Sequence, residues 1–339
     1  MRLGNMYGPD STFLGVPAAD LEEQTSFAGA GAVIIGAPFD GGTSHRPGCR
    51  FGPQAIRLTD YLPHDGSRPH LALGVDPLKE LNVVDVGDVE MPSGDTETSL
   101  RRLEEAVTLI SSTGAIPVVL GGDHTIAYPD VTGVARARGW GKVSVLHFDA
   151  HADTGDTQFG ALYGHGTPMR RLIESGATRG DRFIQIGLRG YWPEPETLDW
   201  MSEQNMRSYE MSEVVARGLD ECLTEASAIA LDECDGVFLS IDVDVVDPGM
   251  APGTGTPEPG GFTSRQLLDS VRRLSSELPV WGVDVVEVSP PYDHAEVTAY
   301  LANRVVLEVL SGIAWRRRSE AGGEVHRPEE PLLGRRRRT

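Results

Sequence analysis

Asp149, His151 and Asp153 occupy alternate positions in HFDAHADT (147–154), directly after the apolar run KVSVL. Side chains two apart on an extended chain point the same way, so these three can converge. Three other segments share the layout. IPVVLGGDH (116–124) ends on His124, SIDVDVVDP (240–248) carries Asp242 and Asp244, and VWGVDVVEV (280–288) carries Glu287. Four carboxylates gathered without cations would repel one another and resist ionisation. Two divalent cations would balance them, with His124 and His151 bound as neutral imidazoles. Six ligands from three strand ends suit a two-metal centre with ions roughly 3.5–4 Å apart, which activates water for attack. Oxygen-rich ligation without thiolate favours Mn²⁺ over zinc, with nickel, cobalt and iron as competitors. His147 belongs to the same stretch but is read as facing the other way, as a hydrogen-bonded core histidine.

The elements that must position these residues recur along the chain. Runs rich in Val and Ile lie at 32–38, 82–88, 116–124, 142–149, 182–188, 236–244 and 280–288. Helical patterns separate most of them. The segment 96–114 is amphipathic and stops at Gly114. The segment 262–278 opens with Thr263 and Gln266 in capping-box spacing. The segment 294–314 places apolar residues at Val297, Leu301 and Val305. Strand alternating with helix predicts an α/β fold with a central parallel sheet covered on both faces. Ligands in such folds sit beyond the carboxyl ends of the strands, where the four motifs fall. No repeat or internal linker divides the chain. The expected organisation is a poorly ordered segment over 1–25, one catalytic domain over 26–314, and a basic, disordered tail over 315–339.

Charge narrows the partners. The 339 residues include 30 basic and 50 acidic side chains, a net charge of -20. That argues against nucleic acid and suits a small cationic substrate. Cys49, Cys222 and Cys234 are widely spaced and suggest neither a disulfide framework nor a zinc knuckle. No apolar run of about 18 residues predicts a membrane span. The opening MRLGNMYGPDSTFLGVP lacks a basic-then-apolar layout, so the cytoplasm is the expected location.

Taken together, GGDH, HFDAHADT, GHGTP, SIDVDVVDPGMAPGTGTPEPGG and DVVEVSPPYDHAE resemble the ureohydrolases: arginases, agmatinases and their amidinohydrolase relatives. GAPFDGGTSHRPGCRFGPQAIR is similar to that family's opening block, with Cys49 where a small residue is usual. The resemblance runs from about residue 32 to 313. DTQFGALYGHGTPMRR and VSPPYDHAEVTA look most like agmatinase, and also like guanidinobutyrase and proclavaminate amidinohydrolase. The resemblance implies a three-layer α/β/α fold of the arginase and deacetylase kind, two Mn²⁺ per subunit, and a trimer or hexamer. It implies that His124, Asp149, Asp153 and Asp242 hold one metal and that Asp149, His151, Asp242 and Asp244 hold the other.

Guanidine hydrolysis then assigns further roles. Glu287 can grip a planar guanidinium through paired N–H groups. His165, in GHGTP, is the candidate proton shuttle to the leaving amine. Asp247 caps a turn and Glu258 orders a loop at the mouth of the site. The glycines of GTGTPEPGG lack the Lys and Ser/Thr of a phosphate loop. Arginases carry a Ser/Asn-bearing run before their equivalent of GHGTP. Here the run is TGDTQFGALY, which offers Asp156, Gln158, Phe159 and Tyr163 as substrate-binding residues. An acidic Asp156 suits the cationic end of agmatine, so conversion of agmatine to putrescine and urea, a step of polyamine biosynthesis, is the first expectation. Arg170 and Arg171 would serve a carboxylate such as 4-guanidinobutyrate. Proclavaminate-type and larger guanidino natural products are further alternatives. A metal amidohydrolase of the deacetylase kind and a catalytically silent metal-binding homologue are remoter readings.

Overall fold

The structure is a computed structural model that describes residues 4–61 and 68–326. Eight strands form one sheet: β1 (Ala32–Ala37), β2 (Val84–Asp88), β3 (Ile116–Gly121), β4 (Val143–Phe148), β5 (Phe183–Leu188), β6 (Arg207–Glu210), β7 (Gly236–Asp242) and β8 (Val280–Val286). Every pairing is parallel, and the order is β2-β1-β3-β8-β7-β4-β5-β6. The order explains the site. β3, β8, β7 and β4 carry the four polar strand ends, and they are the four central neighbours of the sheet. Their carboxyl ends therefore open side by side.

Helices cover both faces, making three α/β/α layers. Alternation along each strand divides the core. Ile34, Val118, Leu146 and Leu239 face a layer with Leu223, Val271, Leu274, Val305 and Val309. Val33, Ile35, Val119 and Val145 face Leu103, Val107, Val131 and Val134. Burying each such side chain contributes roughly 1.5–3 kcal/mol. The helix Thr96–Ser112 starts where Asp95 accepts the Thr98 N–H, and Gly114 follows it at positive φ. The helix Ser264–Glu277 has the Thr263–Gln266 capping box.

The sequence pattern misses β6, whose residues RSYE carry little apolar signal because the strand lies at the sheet's edge. Two boundaries also fall elsewhere than expected. From residue 4 the opening segment lies against β2: Phe13 is fully buried, its N–H donates to Asp85, and Ala18 bridges to Asp85. Such backbone pairing leaves no hydrophobic period to read. The last helix, Val297–Glu320, passes through 314. Arginine is a good helix former and favours a helix C-terminus, so Arg316, Arg317 and Arg318 extend the last turns. Residues 327–339 of the expected basic tail lie outside the described residues. This helix is long and apolar enough to cross a membrane, but most of its apolar residues are buried in the core beside the helix Ser264–Glu277.

Candidate metal centre and active site

Local backbone demands place each functional side chain. After β3 the chain passes so close to β1 that a Cβ on Gly122 would lie 2.1 Å from the Phe39 carbonyl oxygen. Only glycine fits there. The Gly122 and Asp123 N–H groups donate to the Ala37 and Phe39 carbonyls, which directs His124 over the sheet's rim. Asp153 and Glu287 both sit at positive φ, 53° and 65°, which bulky residues rarely adopt. Such conformations cost free energy and gather at functional sites.

The six proposed ligands converge. His124 Nδ1 lies 2.9 Å from Asp149 Oδ2, 3.1 Å from Asp153 Oδ2 and 3.3 Å from Asp242 Oδ2. His151 Nδ1 lies 3.1 Å from Asp244 Oδ2 and 3.4 Å from Asp149 Oδ1. Asp149 thus belongs to two candidate groups of metal-ligating atoms, one with His124, His147 and Asp153 and one with His151 and Asp244.

Hydrogen bonds behind the site decide which ring nitrogen faces it. Ser240 Oγ donates to Asp284 Oδ1 at 2.9 Å, so it accepts from His124 Nε2, also at 2.9 Å. The Nδ1 lone pair must then face the carboxylates. Nδ1 is buried and makes no aligned hydrogen bond. An acceptor held against three acceptors needs a cation between them, and a metal-ligating imidazole is oriented in this manner.

His147 corrects an expectation. Residues 147 and 149 are two apart, so their side chains share a face of β4 rather than opposing one another. His147 Nε2 lies 2.8 Å from Asp149 Oδ2. Ser208 donates to Gln185 Oε1, and Gln185 Nε2 lies 3.1 Å from His147 Nδ1. That relay leaves the proton on Nε2, where it is donated to Asp149. His147 is a buried, hydrogen-bonded histidine, but it orients a candidate ligand.

Electrostatics describe the same need for positive charge. Asp149, Asp242 and Asp244 are almost wholly buried. Burial, then Asp244 and Asp149, push the Asp242 carboxyl well above its usual range. Burial and Asp149 raise Asp244. Burial also works to raise Asp149, but the His147 imidazole, with His124 and His151 beside it, holds it well below the usual value. Burial disfavours the His124 and His151 imidazolium forms, yet the surrounding carboxylates raise both well above the ordinary histidine value. The carboxylates thus demand positive charge at His124 Nδ1, which a proton or a metal ion can supply.

Beside the cluster, Glu287 Oε1 accepts the His124 backbone N–H at 2.9 Å and lies 2.9 Å from His165 Nδ1. Cys49 Sγ donates to Glu287 Oε2 at 3.2 Å. Burial and Glu287 push the Cys49 thiol well up, so it stays a donor. The Ser44 N–H donates to His165 Nε2 at 3.0 Å, and the Ser44 hydroxyl lies 2.7 Å from the same atom. An accepting Nε2 places the proton of the neutral form on Nδ1, facing Glu287. Burial opposes protonation of His165, but Glu287 raises its pKa to about 9. The two features describe a strong base whose second proton would enter at Nε2.

Sequence reasoning missed Ser44, Ser240, Gln185 and Asp123. Asp123 accepts the Gly42 and Thr125 N–H groups and so fixes the loop bearing Ser44. Burial and Glu287 push its carboxyl up to about 6. Its place beside His124 in GGDH was the available signal.

A cavity of about 430 Å³ opens from the cluster, lined by His151, Asp153, Asp242, His165, Gln158, Phe159, Trp192 and Glu194 among others. Of the four expected substrate-binding residues, Gln158 and Phe159 line it. Gln158 also joins two loops, donating to the Gly42 carbonyl and accepting the Gly166 N–H. Tyr163 stacks on Tyr128 instead. Asp156 is exposed and pairs with Arg171 at 3.3 Å and Arg170 at 3.6 Å. Neither those arginines nor Asp156 lines the cavity, because their charges satisfy one another on the outer surface. Asp247 accepts the Gly249 and Gly260 N–H groups, the turn-capping role expected of it. A larger cavity of about 1120 Å³ lies elsewhere, beside His70, Arg272 and Glu308. It contains none of the strand-end residues, and these three groups are paired with one another.

Fold and site together define an α/β/α protein whose central strand ends gather a cluster of His and Asp side chains of the kind that holds metal ions. Residues 30–312 match the arginase family, and the chain belongs to that family. It is 40% identical over 293 residues to "Agmatinase, mitochondrial" of Gallus gallus, covering 86% of this chain and 83% of that protein. It is 38% identical to the proclavaminate amidinohydrolase of Streptomyces clavuligerus, covering 83% and 88%, and 38% identical to the guanidinobutyrase of Pseudomonas aeruginosa, covering 82% and 85%. The solved structure of the Streptomyces clavuligerus proclavaminate amidino hydrolase superposes with a TM-score of 0.79 at 35% identity, covering 91% of this chain and 99% of that one.

Proposed function

We propose that this protein is a dinuclear-metal amidinohydrolase that cleaves a guanidino group to urea and a primary amine, with agmatine as its substrate. The observation that carries the reading is the His124 Nδ1 lone pair, fixed by Ser240 and Asp284 against three buried carboxylates. His124, Asp149, Asp153 and Asp242 would hold one Mn²⁺; Asp149, His151, Asp242 and Asp244 would hold the other. When bound, the ions supply a water of lowered pKa at neutral pH.

The chain's own residues do the rest. Glu287 receives the guanidinium through charge-assisted hydrogen bonds and fixes its plane over the metal cluster. Expulsion of the amine requires a proton on the leaving nitrogen. His165 is suited to provide it. Glu287 makes the ring basic enough to take a proton, and a guanidinium at Glu287 neutralises the anion that holds that proton. Substrate binding thus loosens the proton it needs. Ser44 keeps the ring's orientation through Nε2.

Relatives named as agmatinases support agmatine. Relatives named guanidinobutyrase and guanidinopropionase support a second reading, a guanidino acid as substrate. Chromatography of products from agmatine incubated with the Mn²⁺-loaded protein tests the proposal. Equimolar urea and putrescine are expected. Agmatine recovered intact would refute this substrate.

A further inference from the structure

The inner end of the cavity is set by buried groups, and its mouth by exposed ones. Asp153, Asp242 and His165 are buried; Phe159 and Glu194 are exposed, with Trp192 between the extremes. A guanidinium seated at the inner end therefore directs the rest of its molecule toward Trp192 and Glu194. The segment bearing them follows β5 and is held in place. Arg189 donates to the carbonyls of Asp244, Val245, Glu258 and Pro259, and the Glu194 carbonyl accepts the Thr197 and Leu198 N–H groups.

Beyond the proposed metal ligands and His165, Glu194 is the one ionisable side chain that lines the cavity among the described residues. Among the described residues its carboxylate has no hydrogen-bond or ion-pair partner. Arg170 and Arg171 pair with Asp156 and Glu174, and Arg189 with backbone carbonyls. A carboxylate at the far end of a substrate would meet Glu194, and no Arg or Lys lines the cavity among the described residues. An ammonium there would pair with Glu194, and the indole of Trp192 supplies an apolar wall for the linker and a favourable face for a cation.

We infer that Glu194 is the residue that reads the distal end of the substrate, selecting guanidinoalkyl amines over guanidino acids. This role replaces the one expected of Asp156, and it rests on the hydrolase reading given above.

Urea release by the Mn²⁺-loaded full chain tests it, using agmatine, 4-guanidinobutyrate and uncharged butylguanidine. Wild type should prefer agmatine. Because Glu194 is exposed, E194Q should lower kcat/KM for agmatine only about three- to tenfold, through KM. Butylguanidine should be cleaved as before, which reports an intact metal centre. E194K should shift the agmatine-to-guanidinobutyrate ratio by about 100-fold or more, since it replaces attraction with repulsion. An unchanged ratio in both variants, with butylguanidine still cleaved, would overturn the role of Glu194 and leave the hydrolase reading standing. A wild-type preference for 4-guanidinobutyrate would do the same. No urea from any of the three by wild type would overturn both.

Discussion

His165 Nδ1 and Glu287 Oε1 lie 2.9 Å apart, both buried, with His165 at the wall of the cavity. The contact couples the carboxylate that would receive substrate to the base that would carry the proton. With the His165 pKa raised to about 9, the imidazolium form is favoured by folding. A raised folded pKa gives stability that is complete below the unfolded value near 6.5 and lost as pH rises through about 9. In metal-free protein, the His165 ring signals in an NMR titration should move with a midpoint near 9. In Glu287→Gln the midpoint should fall by about two units or more, because burial then acts without its counter-charge. A midpoint unmoved by the substitution would disprove the coupling.

Asp149 is the residue shared by both groups of ligating atoms. Asp149→Ala should lose both ions, whereas a ligand to one ion alone would lose one. Elemental analysis after gel filtration reads the difference. Two ions per chain in the variant would contradict the bridging assignment.

Ser240 never approaches substrate, yet it accepts the proton that fixes the His124 tautomer. Ser240→Ala should weaken metal binding roughly 10- to 100-fold, the usual effect of losing a ligand's supporting partner. Competition against a calibrated chelator measures this. Affinity equal to wild type would show that the tautomer is held in another way.

Arg57 tests the fold apart from the site. Its guanidinium is buried between Asp85 and Asp88 on β2, with 2.9 and 3.0 Å bonds to Asp85. Arg57→Met would leave two buried carboxylates without their cation. The cost should be about 3–5 kcal/mol, read in denaturant unfolding. A loss under about 1 kcal/mol would mean that water or rearrangement replaces the guanidinium.

The sheet and the convergence of the His and Asp side chains were legible because each rests on a local pattern. Val- and Ile-rich runs ending in Asp or His announce buried strands with polar rims, and a spacing of two tells which side chains converge. The residues that stayed hidden act across the fold. Ser240 reaches His124 and Asp284 from a neighbouring strand, Gln185 reaches His147 across the β4–β5 pairing, and no spacing in the chain reports such contacts. β6 was hidden for a different reason: an edge strand of four residues needs little apolar content. The placing of the loop before GHGTP was half legible. Its sequence placed Asp156 near the site, but not that Arg170 and Arg171 would turn it outward. Glu194 comes from a segment far away in the chain.

The most direct measurement is a metal titration of the stripped protein, with urea release followed across a panel of guanidines. Activity should be absent without metal, rise as Mn²⁺ is added, and level off at two ions per chain. Protein carrying two ions per chain that releases no urea from any guanidine would contradict the central claim.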